Sequence, residues 1–204
     1  MKTNKRYIVL AALILFSAPL WAQQGSLKLN INYAVGIPTG NFKTITDKVS
    51  PRGWDAALMY NINDRLSAGL QTGYQDFYQK YPRQLIHQSG SDISAVISQS
   101  VQTAPVMAKV QYRFNAGNMV QPYVAVAAGG NFVNFKTYYG EFADSHSKFG
   151  FAAQPQAGIE IPVGANKRTA INIAAGYNIM PFQYGMADGL NHIVLKGGIS
   201  IPIK

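Results

Sequence analysis

The feature that most constrains this chain is two-residue alternation of apolar and polar side chains, repeated in eight separate segments. Alternation places successive side chains on opposite faces of an extended strand, and helical spacing fits none of the eight as well. The first segment carries Leu27, Leu29, Ile31, Tyr33, Val35 and Ile37 on one face, with Lys28, Asn30, Asn32, Ala34 and Gly36 on the other. The second presents Trp54, Ala56, Leu58 and Tyr60, and the third Leu66, Ala68, Leu70, Thr72 and Tyr74. The fourth runs from Ala104 through Val106 and Val110 to Tyr112 and Phe114, and the fifth, less regular, from Val120 to Phe132. Phe149 to Val163, Ile171 to Ile179 and Ile193 to Ile203 complete the set.

The connections alternate in length. Short polar turns at Asn61–Arg65, Asn115–Met119 and Gly164–Arg168 interleave with longer stretches at Thr39–Arg52, Tyr78–Val101, Val133–Lys148 and Met180–Asn191. Transmembrane barrels have this asymmetry, with short periplasmic turns and long extracellular loops. The pattern predicts an all-β fold: an eight-stranded antiparallel up-and-down transmembrane β-barrel with both ends in the periplasm. Asp92–Gln102 is open to two readings, a short helix or an extension of the fourth strand, and a ten-stranded barrel is the alternative.

A soluble barrel would alternate too, with its apolar face inward. Two features turn that face toward lipid instead. Once the loops set strand direction, Tyr60, Tyr112 and Phe114 fall at periplasmic ends, while Trp54, Tyr74, Phe132, Phe149, Phe151 and Tyr177 fall near extracellular ends. Amphipathic rings at both interfaces are the girdles expected of a membrane barrel. Lys28, Asp55, Lys109, Arg113, Glu160 and Lys196 all fall on the polar face, where a lumen would receive them, joined by Gln71, Gln111, Gln154, Gln156, Asn172 and Asn178. An eight-stranded barrel is just wide enough for side chains to fill, so the expected interior is a polar plug. Because an unpaired buried charge is strongly disfavoured, Glu160 is expected to pair with Arg113 or Lys28.

Export is read from the N-terminus. Lys2, Lys5 and Arg6 precede an apolar block from Tyr7 to Phe16 and a stretch with Ala18, Pro19 and Ala22. This is a secretory-leader pattern. Residues 1–22 are read as a signal peptide and residues 23–204 as the outer-membrane barrel domain. Cleavage after Ala22 leaves 15 basic against 9 acidic residues. The cations are scattered singly in an exported chain, which argues against nucleic acid as a partner.

Prolines resist this scheme, since they donate nothing to a ladder and a closed barrel has no free edge. Pro122 is read as opening its strand, and Pro155 demands a bulge or an early exit of the sixth strand. The pairs Gly129-Gly130 and Gly197-Gly198 lie within strands and lack a following helix, so close packing or curvature explains them better than phosphate binding.

Four groups of residues carry a family resemblance: the run Gly36 to Phe42; the block from Tyr60 through Asp64 to Leu70; Pro122-Tyr123-Val124-Ala125 with Gly129 and Gly130; and Gly176-Tyr177. Together they resemble the small, porin-like outer-membrane β-barrel family of Bacteroidetes, related in architecture to OmpA-type barrels. The resemblance spans nearly all of the mature chain and implies location in the outer membrane without implying an activity. Members commonly end in an aromatic residue, whereas this chain ends Ile203-Lys204.

Some barrels of this size modify lipids, and one type pairs a His and a Ser two residues apart. His87 and Ser89 have that spacing, His146 lies between Ser145 and Ser147, and His192 is near Asp188. Nucleophilic catalysis needs a base held against the hydroxyl and a third group to orient it, and no spacing here supplies all three. Three histidines in separate loops give no metal-ligand pattern, and cysteine is absent. No catalytic residue, cofactor or metal is expected. The expected function is that of a non-enzymatic barrel, structural in the envelope or docking partners through its long loops, where function usually sits. The alternative is a narrow porin-like channel; the second alternative is a lipid hydrolase. Expected contacts are outer-membrane lipid and other envelope or surface proteins.

Overall fold

Val, Ile, Tyr and Phe at alternate positions suit a pleated surface, and all eight alternating segments are strands in the computed structural model of the protein. The structure describes residues 26–203 apart from 83, 89, 90, 96, 115, 116, 118, 140, 141, 165–168, 182, 185 and 186. The segment read as a leader, residues 1–22, lies outside the described residues. In chain order the strands are β1 (Leu27–Pro38), β2 (Ser50–Asn61), β3 (Leu66–Lys80), β4 (Gln84–Gln88), β5 (Ser91–Ala95) and β6 (Ile97–Arg113). Then follow β7 (Gln121–Tyr139), β8 (Phe142–Val163), β9 (Thr169–Asn178), β10 (Gln183–Tyr184), β11 (Ala187–Asp188) and β12 (His192–Ile203).

Eight of these close into a barrel in the order β1-β12-β9-β8-β7-β6-β3-β2. Each neighbour is antiparallel, and β1 meets β12 from Leu27↔Ile203 to Pro38↔His192 to seal the sheet. The β4–β5 hairpin forms a separate sheet, as does β10–β11, so neither adds to the barrel and the ten-stranded alternative does not hold. Among its described residues Asp92–Gln102 contains no helix; they are divided between β5 and the start of β6.

The long loops are shorter than the alternation indicates. β7 has 19 residues and β8 has 22, whereas about 9–11 suffice to cross a bilayer. The predicted loop Val133–Lys148 is consumed almost entirely by these two strands. β3 and β6 also run on, pairing as far as Lys80↔Ser98. Above the membrane an outward side chain has no reason to be apolar, so alternation fades while the backbone ladder continues. The result is an extracellular crown of four strands, β3, β6, β7 and β8, rising above the others.

The prolines fit without the bulge or early exit expected of Pro155. Ala153 exchanges both backbone hydrogen bonds with Ile179, so Pro155, two residues on, turns toward the same neighbour. Pairing with β9 resumes at Gln156↔Gly176 in unchanged register, leaving a gap in the ladder where the proline has no donor. Pro105 in β6 does the same to β3: pairing stops after Thr72↔Val106 and resumes at Gln75↔Thr103. Pro122 is the second residue of β7, at the strand start. Two glycines show why a side chain is excluded. A Cβ on Gly129 would lie 2.3 Å from the Val106 carbonyl oxygen, and one on Gly130 would lie 2.3 Å from the Phe149 ring.

Candidate functional site

The inward positions of the eight strands build a continuous polar interior. Asp55, Lys109, Arg113, Glu160 and Lys196 are buried there, along with Gln71, Gln111, Gln154, Gln156, Asn172 and Asn178. Lys28 is less enclosed, its side chain 20% exposed near the periplasmic end. At that end Glu160 accepts a hydrogen bond from Gln111 Nε2 at 2.8 Å and lies 3.9 Å from both Lys28 Nζ and Arg113 NH1. The other Arg113 nitrogen donates to Asn61 Oδ1 at 2.7 Å and Ser67 Oγ at 2.9 Å. Charge and hydrogen bonds together tie β1, β2, β3, β6 and β8 across the lumen.

A second cluster occupies mid-barrel. Lys196 Nζ donates to Asp55 Oδ2 at 2.9 Å and to Gln154 Oε1 at 2.7 Å. Asp55 Oδ1 accepts from Asn32, whose own oxygen accepts from Asn172, and Tyr123 donates its hydroxyl to Asn172. Gln71 donates to Gln154, and Gln154 to Asn178. Asn32 and Tyr123 belong to this network although sequence reading did not single them out. Parity placed Asn32 on the polar face with Lys28, but gave it no partner. Tyr123 falls inward by parity, opposite Val124 and Val126, but its residue type gave no signal, because a tyrosine suits either face.

Above these clusters the interior changes character. Phe42, from a short 3-10 turn at Gly40–Thr44, packs with Phe77, Val101, Val133, Met180 and Leu190, all nearly inaccessible. The first extracellular loop therefore folds inward and corks the mouth. Thr39 ties that loop to the last one through its N–H and Oγ1, both donating to the Asn191 carbonyl. His192 sits between cork and network, its ring edge-on to Phe77 at 4.9 Å. One nitrogen contacts the Leu190 carbonyl at 2.9 Å and the other Asn178 Nδ2 at 2.6 Å. Neither partner is a hydroxyl or a carboxylate, so His192 is not arranged as the base of a hydrolase. His146 is an exposed residue of β8, and the side chains of His87, Ser89 and Asp188 lie outside the described ones. Among the described residues no cluster of His and carboxylates could hold a metal.

The outer face is apolar. Ile31, Leu58, Leu70, Val106, Val110, Val124, Val126, Ile171, Ile173, Leu195 and Ile199 are all exposed. Trp54, Tyr60, Tyr112, Phe114, Phe132, Phe149, Phe151 and Tyr177 share that face with them, as does Tyr74, which is half-buried. Tyr33 adds a further ring, opposite Trp54, with its hydroxyl donating to the Pro51 carbonyl. An apolar exterior with a filled polar interior inverts the order of a soluble domain.

A family model for the outer membrane protein beta-barrel domain matches residues 8–198. The chain belongs to that family. Among solved structures it resembles Neisserial surface protein A at TM-score 0.56 and 12% identity, over 88% of this chain and 97% of that one. It also resembles the attachment invasion locus protein Ail of Yersinia pestis, in complex with the heparin analogue sucrose octasulfate. There the TM-score is 0.50 and the identity 14%, over 89% and 100% of the two chains. The outer membrane protein OprG from Pseudomonas aeruginosa gives TM-score 0.50 at 13% identity, over 89% and 97%. At these identities the likeness is one of fold. No curated protein matches.

Proposed function

We propose that this barrel is a closed membrane anchor that presents its extracellular crown as a docking surface for another envelope or surface protein, without enzymatic activity. The observation that carries this reading is the outer edge of β8. β8 pairs with β7 from Phe142 to Glu160, but with β9 only from Gln156 to Val163 and through the single bridge at Ala153. Along Phe142–Ala152 the side of β8 away from β7 therefore carries no strand among the described residues. Ser145 to Phe149 are all exposed. An edge with no partner strand among the described residues is a template for an incoming strand.

The filled lumen and the cork over it count against the channel reading. The neighbouring fold of Ail, named for attachment and invasion and solved with a heparin analogue, offers a precedent for external binding by such a barrel. A photo-crosslinking residue at Ser145 in intact cells should yield a discrete protein adduct, while one at lipid-facing Leu70 should yield none. Absence of an adduct at Ser145, or the same adduct at both positions, would reject the docking role.

A further inference from the structure

On the outside of the barrel, where the crown leaves the membrane, the wall carries a groove of about 390 Å³. Its apolar lining includes Tyr74, Ala104, Phe132 and Phe149, and its polar lining includes Gln102 and Asn134 with Ser147 and Lys148 of β8. It opens where Pro105 interrupts the β3–β6 ladder, leaving Tyr74 and Ala104 unpaired across the gap. Small Ala104 forms a depression between larger neighbours. Phe132 and Phe149 pack together with ring centroids 5.0 Å apart and make one wall. The volume falls within the range of small-ligand sites.

The height of the groove decides what can occupy it. Below it on the same outward face are Val106, Val110, Leu70 and Val126, all exposed, so the groove continues the lipid-facing surface. Above it that face turns polar. Lys136 lies two residues beyond Asn134 on β7, outward by the same parity, between Ser100 and Ser145. A site with an apolar floor, an amide rim and a cation on top matches a molecule with a hydrocarbon tail, a hydrogen-bonding sugar and an anionic group, in that order along the membrane normal.

We propose that this groove seats one acyl chain of a phosphorylated glycolipid of the outer leaflet, with Gln102 and Asn134 facing its sugar and Lys136 its phosphate. A phospholipid would supply the chain and phosphate but leave the amide rim without a sugar. The groove shares Phe149 with the exposed stretch of β8, but it uses outward side chains rather than the backbone edge and does not depend on the docking reading.

The test uses the full barrel in phosphatidylcholine nanodiscs containing a minor fraction of either lipid A or phosphatidylglycerol, with adducts read by native mass spectrometry after release. Wild type should retain one lipid A and no phosphatidylglycerol. Ala104→Trp, which fills the groove from a lipid-facing position, should lose it, and Lys136→Gln should reduce retention about tenfold through loss of one charge-assisted contact. Ala104→Leu serves as a milder filler should the Trp variant fail to show the heat-dependent gel mobility of a closed barrel. Equal retention by wild type and the folded filler variant would overturn the site. Retention of phosphatidylglycerol at the level of lipid A would overturn the assignment to a glycolipid.

Discussion

At the scale of single residues, the lumen holds a close charge pair in a place where an unpaired partner is costly. Lys196 and Asp55 are both almost inaccessible and only 2.9 Å apart. Removing one partner of such a pair costs about 3–5 kcal/mol, because the other is left buried and uncompensated. Lys196→Met should therefore lower the thermal transition in detergent markedly, and adding Asp55→Leu should restore much of the loss. A double variant no better than the single one would mean that the hydrogen bonds to Gln154 and Asn32, rather than the ion pair, hold this level together. Glu160→Ala should likewise lower the unfolding temperature, since Gln111, Arg113 and Lys28 all converge on that carboxylate. Lys28→Ala should be milder, because its side chain is already 20% exposed. Equal shifts from the two variants would show that the pair with Lys28 carries most of what Glu160 contributes.

At the scale of elements, the ladder explains where proline is tolerated. In β8 the residues in step with Ala153 turn their backbone groups toward β9, and those in between turn theirs toward β7. Pro155 falls in the first set and costs only a gap. The same rule makes a prediction in the crown. Ser147→Pro removes a donor from the free edge and should leave barrel stability within measurement error. Ala152→Pro removes a donor to β7 opposite Gly129 and should destabilise by about 3 kcal/mol or more, a cost of the kind found when proline breaks a hydrogen-bonded element. Gel mobility with and without heating separates the two, and equal damage from both would refute the free edge. Alternation could not reveal these facts, because the direction of a backbone donor depends on register, which side-chain pattern alone does not specify.

At the scale of the whole molecule, the plug and the cork act in series. The polar network spans the lumen from Glu160 to Asn178, and Phe42, Met180 and Leu190 lie over it. Refolded protein in a planar bilayer should show no discrete conductance steps, and regular steps of fixed size would return the channel reading to first place. Phe42→Ser should loosen the mouth without opening a path, since the charged levels beneath it stay in place. The crown gives the molecule its asymmetry: one side of the barrel ends near the membrane surface while β7 and β8 continue well beyond it.

Alternation in the sequence determined the eight strands and which side of the wall each side chain faces, because a strand's period of two is fixed by backbone geometry whatever surrounds it, and the connection lengths gave their up-and-down order. Only the tertiary structure decided the rest. Glu160 had two possible partners by sequence, and barrel closure brings both within the same distance. Phe42, Met180 and Leu190 come from loops far apart in the chain, and nothing in their local sequence says that they meet over the lumen. The crown was hidden for a related reason: above the bilayer, outward residues escape the demand to be apolar, so the strands continue where the pattern that revealed them has ended.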